Sequence, residues 1–107
     1  MKLPEEAKRE LVAQWLCKAR EDLGAARHLT ASSPPFPGAA AFHAQQTAEK
    51  CLKAFLVHGE VLFPRTDDIG ILLDLVSARD RALAEDLREA IRLTAYGVSM
   101  YYPGDLP

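Results

Sequence analysis

The stretch "FHAQQTAEKCLKAFL", residues 42–56, decides the fold. Its apolar residues recur at steps of three and four positions, which is the spacing of one face of an α-helix. They are Ala44, Ala48, Cys51, Leu52, Phe55 and Leu56. The polar residues between them recur at similar steps. The stretch therefore predicts a central amphipathic helix, of about Ala39 to His58, which ends at Gly59.

A second long helix is predicted before it, from about Pro4 to Leu29. Proline suits a first helical turn, and the acidic pair Glu5 and Glu6 suits the positive end of the helix dipole. The segment "TASSPPFPG", residues 30–38, has three prolines within four positions and so cannot continue a helix.

The rest of the chain also has helical spacing. In the connector "EVLFPRTDD", residues 60–68, Pro64 requires an extended residue before it, and Thr66 is a candidate cap for a short helix, "DIGILLDLV". Ser77 is a candidate cap for a last helix of about Arg79 to Ser99. No stretch alternates as a strand does. We predict one all-α domain over residues 1–107, an antiparallel up-and-down bundle of four to five helices.

Composition limits the function classes. The chain has 107 residues, 49% hydrophobic and 26% charged, with a net charge of −2, as in an ordinary soluble domain. A protein that coats nucleic acid by bulk charge is usually basic, so any polyanion site must be local. The N-terminus does not have the pattern of a signal peptide and no apolar run is long enough to span a bilayer. We expect a cytoplasmic protein that is not bound to a membrane.

Metal and cofactor sites are not expected. Cys17 and Cys51 have no CxxC partner, and we expect both to be reduced and buried in packed helices. No histidine or cysteine pair has the close spacing of a zinc site, and the scattered glycines form no phosphate-binding loop.

Several residues are candidates for binding a ligand or a partner. His43, Gln46, Lys50 and Lys53 share one face of the central helix, which is either a solvated face or a surface for a phosphate or a partner's carboxylates. Glu49 is placed to pair with Lys53.

Arg65, held by Pro64 beside a helix start, suits an anion unless the following aspartates neutralise it. Tyr101 and Tyr102 can stack on a base or cover the end of the bundle. Because "SMYYPGDLP" ends at a Pro-Gly turn, we expect a second copy to cover the apolar surface left there, giving a homodimer.

The chain resembles the HEPN domain, a small helical domain of prokaryotic and eukaryotic proteins. The resemblance rests on "KAREDLGAAR", on residues 40–76, where "QQTAEKCLKA" is followed by "FPRT", and on residues 90–105, which contain "MYYPGD". It implies a dimerising bundle that binds nucleotides or RNA. It also implies a minimal nucleotidyltransferase as a partner, often in a toxin–antitoxin-like pair.

Some HEPN domains are metal-independent ribonucleases with an Arg followed four to six residues later by a His. No arginine stands at that spacing before His28, His43 or His58, and Asp67 and Tyr101 stand where the family often has His and Arg. We therefore expect no catalytic residues and a non-catalytic, dimeric module that binds a nucleotide, a minimal nucleotidyltransferase, or both. The alternative is a ribonuclease toxin that uses His43 with Arg65 or a tyrosine.

Overall fold

The computed structural model describes residues 2–99, and the side chains of residues 2–92. It contains four helices: α1 (Glu5–Ala31), α2 (Pro37–His58), α3 (Ile69–Ser77) and α4 (Arg81–Ser99). No strand occurs in the described part of the chain. The prediction of an all-helical bundle is confirmed, and the helix bounds lie within about two residues of those predicted.

The two long helices form a hairpin. The chain between them turns where the amide of Phe36 donates to the carbonyl of Leu29 at 2.9 Å, and Pro37 begins α2. Among the described helices α1 contacts α2 alone, while α3 and α4 pack on α2 and on each other. The position of α1 therefore depends mainly on its contact with α2.

The hydrophobic core lies between the C-terminal half of α2 and the two shorter helices. Its buried members are Leu52, Leu56, Leu72, Leu73, Val76 and Ala84. Leu56, Leu72 and Val76 are completely shielded from solvent. Burying one such side chain contributes roughly 1.5–3 kcal/mol. Val61 and Phe63 of the connector between α2 and α3 pack against this cluster, which holds the connector on the bundle.

The helix caps differ from those predicted. The carboxylate of Asp68, rather than Thr66, caps α3 by accepting from the amides of Gly70 and Ile71. The Thr66 hydroxyl instead accepts from the Asp68 amide at 3.0 Å, one step outside the helix. Ser77 is the last residue of α3, and Asp80 accepts from the Leu83 amide at the start of α4. At the start of both helices, an aspartate carboxylate next to the first helical residue is the cap.

The expected burial of the cysteines is wrong. Cys17 and Cys51 are free thiols on exposed residues. Cys51 lies at the edge of a groove on α2. Among the described helices α1 packs against α2 alone, so most of the α1 surface, including Cys17, is not covered by them. Leu16 and Leu23, two turns apart on α1, are exposed for the same reason. None of the described helices is long and apolar enough to cross a membrane.

Helix α2 ends in a Schellman motif. The amide of Glu60 donates to the Val57 carbonyl and the amide of Val61 donates to the Leu56 carbonyl, at 3.0 and 2.9 Å. The left-handed residue of the motif is Glu60, with φ 57°, and not Gly59, whose φ is −80°. Such a φ is costly for a residue with a Cβ atom. Glu60 also lies 3.4 Å from the ammonium of Lys8 on α1.

Replacing Glu60 tests this strain. Glu60→Gly and Glu60→Ala both remove the contact with Lys8, but only glycine relieves the left-handed backbone. We expect Glu60→Gly to be more stable than Glu60→Ala by about 1 kcal/mol, measured by urea unfolding of the two variants side by side. Equal stabilities would contradict a left-handed residue at position 60.

Candidate ligand-binding pocket

The contact between α1 and α2 combines small and charged residues. Ala19, Ala26 and Ala40 are buried there, and small side chains allow two helices to approach closely. Asp22 of α1 faces α2 between them. One of its carboxylate oxygens accepts from His43 Nδ1 at 2.9 Å, and the other accepts from the ammonium of Lys50. This ion cluster aligns the two helices.

Asp22 is largely enclosed, with 13% of its side chain exposed. Burial opposes its ionisation, but the hydrogen bonds and charges of Lys50 and His43 together outweigh that effect, so the pKa of Asp22 lies below its ordinary value. The carboxylate is therefore the stable form in the folded protein at neutral pH, and it holds both partners on α2.

A second ion pair is buried more deeply on α2. The ammonium of Lys53 donates to Glu49 at 2.9 Å, and the two side chains are only 8% and 4% exposed. Lys53 also lies 5.0 Å from the centre of the Trp15 ring, where a cation is attracted to the aromatic face. The second carboxylate oxygen of Glu49 is buried and has no hydrogen-bond partner in the described part of the structure.

A pocket of about 590 Å³ opens above Lys53. Trp15 of α1 and Lys53 of α2 line one side, and the connector from Phe63 to Asp67 lines the other. Asp67 Oδ1 lies 3.8 Å from the Lys53 ammonium, although 85% of the Asp67 side chain is exposed. The pocket therefore brings together two cations, Lys53 and Arg65, an indole plane and one loosely held carboxylate.

The four residues predicted to share one binding face of α2 lie in two different places. His43 and Lys50 are half-buried and turned toward Asp22, and Gln46 is half-buried beside them. Lys53 is buried and belongs to the pocket, together with the exposed Arg65. The predicted pairing of Glu49 with Lys53 is confirmed. Tyr101 and Tyr102 lie outside the described residues.

The aspartates that follow Arg65 do not neutralise its charge, a possibility that the sequence left open. No ion pair joins it to Asp67 or Asp68, because Asp68 caps α3 and Asp67 faces Lys53. Within the described side chains, the guanidinium of Arg65 forms no hydrogen bond. It therefore stands at the pocket as a cation with all its donors open to a ligand.

Sequence reasoning did not assign Trp15 or Asp22 to a site. A signal for both was present: Trp15, Ala19, Asp22 and Ala26 follow steps of four, three and four, the spacing of one inward helix face. An aspartate at such a position requires a partner on the facing helix, since a buried charge without one is strongly unfavourable. The spacing did not reveal which residues of α2 supply that partner.

A separate apolar groove of about 310 Å³ lies between α2 and α4. Its lining residues are Ala48, Cys51, Leu52, Phe55, Leu83, Leu87 and Ile91. It contains no charged side chain, unlike the pocket at Trp15. Among the described residues, no group of three or more His, Cys, Asp or Glu side chains is arranged to hold a metal ion.

The model of the HEPN domain family matches residues 12–107, which include every residue of both the Asp22 cluster and the Trp15 pocket. No curated protein and no solved structure matches the chain.

The lowered pKa of Asp22 makes a prediction about pH. Asp22→Asn removes a carboxylate that stabilises the folded state, and we expect it to cost about 1–3 kcal/mol at pH 7. Because the folded pKa lies below the unfolded one, this contribution is fully present above about pH 4 and is lost as pH falls through the folded value. Urea unfolding of both proteins from neutral to acid pH measures the difference.

The control is Asp86→Asn, which removes the same charge from an exposed residue of α4. We expect it to change stability little at any pH. A difference between wild type and Asp22→Asn that stays constant down to the most acid pH would contradict the account of the Asp22 cluster.

Proposed function

The chain belongs to the HEPN domain family, and from this premise we propose that it is a binding module and not an enzyme. Its ligand is a nucleotide, held in the pocket between Trp15 and the connector before α3. It works as a homodimer beside a minimal nucleotidyltransferase. The observation that carries the proposal is the position of Lys53, a buried cation that lines an open pocket beside an indole ring.

The chemistry of the pocket suits a nucleotide in two respects. The phosphate requires cationic donors: Lys53 uses one of its three ammonium hydrogens on Glu49, and the Arg65 guanidinium is open. The base requires an apolar or aromatic surface, which Trp15, Phe63 and Pro64 supply on the same pocket. A volume of about 590 Å³ is within the usual range for a small-molecule site.

The arrangement of the histidines argues for binding without catalysis. None of the three histidines lines the Trp15 pocket. His43 directs Nδ1 at Asp22, in the contact between α1 and α2, where the pair has a clear role in holding the helices together. A metal-free cleavage of RNA needs a base and a cation on the same reacting group, and His43 is not among the residues that line the pocket of Arg65.

The homodimer is supported by the apolar surfaces that the described part of the bundle leaves open. The groove between α2 and α4 is almost wholly apolar, and Leu16 and Leu23 add exposed apolar area on α1. Apolar surface of this kind is typical of protein–protein contacts. The nucleotidyltransferase partner is carried over from what the family resemblance implies, in a toxin–antitoxin-like pair.

Arg65 provides the test of the nucleotide site. Trp15 is the single tryptophan of the chain, so its fluorescence reports on the pocket directly. We expect AMP to change this fluorescence saturably, and Arg65→Gln to weaken binding about tenfold, the effect of losing one charge-assisted hydrogen bond. Arg65 is exposed, so the variant is expected to fold normally.

Arg27→Gln is the matched control. Arg27 is an exposed arginine on the same helix as Trp15, about 18 Å farther along it. We expect the control to bind AMP as wild type does. An equal loss in both variants would show a general charge effect, and no saturable change in any protein would overturn the proposed site.

Ribonuclease activity is tested separately. We expect purified protein to leave a mixed-sequence RNA intact, and His43→Ala and Arg65→Ala to behave like wild type. Gel analysis of the RNA after incubation measures this. Cleavage by wild type that both substitutions abolish would contradict a non-catalytic module and favour the ribonuclease alternative.

A further inference from the structure

We propose that Asp67 occupies the anion position of the Trp15 pocket, so that a ligand's phosphate reaches Lys53 by displacing the Asp67 carboxylate. This inference rests on the proposed nucleotide site and adds the class of ligand. A ligand that displaces a carboxylate must carry a group with more negative charge than a carboxylate. We infer a phosphate monoester on a nucleoside, either free or at the end of an RNA chain.

The charges around the pocket explain why a displacement is needed. Among the described side chains, Lys53 and Arg65 supply two positive charges and Glu49 and Asp67 supply two negative ones, so these four charges cancel. A neutral site has little attraction for an anion unless one of its own carboxylates moves away. The question is which of the two can move.

Glu49 is fixed and Asp67 is not. Glu49 has 4% of its side chain exposed and lies 2.9 Å from the Lys53 ammonium, so removing it would leave a buried cation without a partner. Asp67 is 85% exposed and its carboxylate lies 3.8 Å from the same ammonium, beyond hydrogen-bond distance. An exposed ion pair of this kind contributes little free energy, so Asp67 is the carboxylate that a ligand can displace.

Comparison with Asp68 shows that Asp67, unlike its neighbour, has no role in capping a helix. Asp68 is engaged at the start of α3, where it accepts from the amides of Gly70 and Ile71. The Asp67 carboxylate accepts no hydrogen bond from the described part of the chain. Within the same part of the chain, its one charged contact is with Lys53, which lines the pocket. An anion that binds the Lys53 ammonium from the pocket therefore competes with the Asp67 carboxylate.

The class of ligand follows from this competition. A phosphate monoester carries about −1.5 to −2 charges at pH 7 and three strong acceptor oxygens, against one charge on a carboxylate. It therefore gains Coulomb energy when it replaces Asp67 at Lys53 and Arg65. A phosphodiester, with one charge, exchanges one single charge for another and gains little. The pocket is thus selective for a terminal phosphate over an internal one.

The experiment compares wild type, Asp67→Asn and Asp86→Asn, with Trp15 fluorescence as the readout. The two variants lose the same charge, one from the pocket and one from an exposed site on α4. We expect Asp67→Asn to bind AMP about two- to fivefold more tightly than wild type, since an exposed ion pair is worth up to about that factor. Adenosine, which lacks the anion, is expected to bind wild type and Asp67→Asn equally, and Asp86→Asn is expected to match wild type.

Two further ligands test the class. Wild type is expected to bind AMP more tightly than 3′,5′-cyclic AMP, the corresponding diester. A trinucleotide RNA with a 5′-phosphate, compared with the same RNA bearing a 5′-hydroxyl, distinguishes an RNA end from a free nucleotide. Preference for the phosphorylated trinucleotide over AMP assigns the site to RNA ends, and the reverse preference assigns it to free nucleotides.

The outcomes that overturn the inference are distinct from those that overturn the site. If wild type binds AMP but Asp67→Asn binds it equally or more weakly, Asp67 does not compete with the phosphate and the inference fails alone. The inference also fails alone if Asp67→Asn raises the affinity for adenosine as much as the affinity for AMP. It fails likewise if wild type binds cyclic AMP as tightly as AMP. If no protein binds AMP, the proposed site and the inference both fail.

Discussion

The contact between α1 and α2 is the constraint on which the candidate site depends. Among the described helices α1 packs against α2 alone, and no apolar core of its own holds it there. Buried alanines bring the two helices close, and Asp22 joins His43 and Lys50 across the contact. This register places Trp15 over Lys53. If α1 shifted along α2, the indole would leave the pocket, although the core of α2, α3 and α4 would remain.

The buried pair of Lys53 and Glu49 is difficult to explain by stability. Removing two charges from water is expensive, and an apolar pair of similar size often stabilises a protein as well or better. The second oxygen of Glu49 lacks a hydrogen bond within the described residues, which adds to the cost. A ligand site offers a reason for this arrangement: Glu49 fixes the position of the Lys53 ammonium, and Lys53 lines the pocket. The connector that closes the pocket is in turn held by the core through Phe63.

Much of the fold could be predicted from the sequence because helical spacing and proline breaks are local properties. The bounds of α1 and α2 follow from them, as does the pairing of Glu49 with Lys53. The caps were missed because Thr66 and Asp68 are both suitable residues, and only the backbone at the start of α3 decides which oxygen reaches the free amides. The cysteines were misjudged because burial depends on whether a neighbouring helix covers that face, which spacing along one helix does not reveal.

The candidate site was predictable only in part, for the same physical reason. Lys53 and Arg65 were identified as cations on suitable elements, yet their meeting at one pocket depends on how the connector folds back on α2. Trp15 and Asp22 lie on another helix, and their partners are set by the register between helices. His43 and Lys50 looked like ligand-facing groups on the isolated helix, whereas the structure turns both toward Asp22.

The proposed function rests on the binding of a nucleotide's phosphate in the Trp15 pocket. The most direct measurement is an NMR titration of isotopically labelled protein with AMP, following the Trp15 indole N–H and the backbone amides. We expect saturable shifts at Trp15 and at the amides of residues 65–67, with little change around His43. Shifts centred on His43 and Lys50, or no saturable shift at any residue, would contradict it.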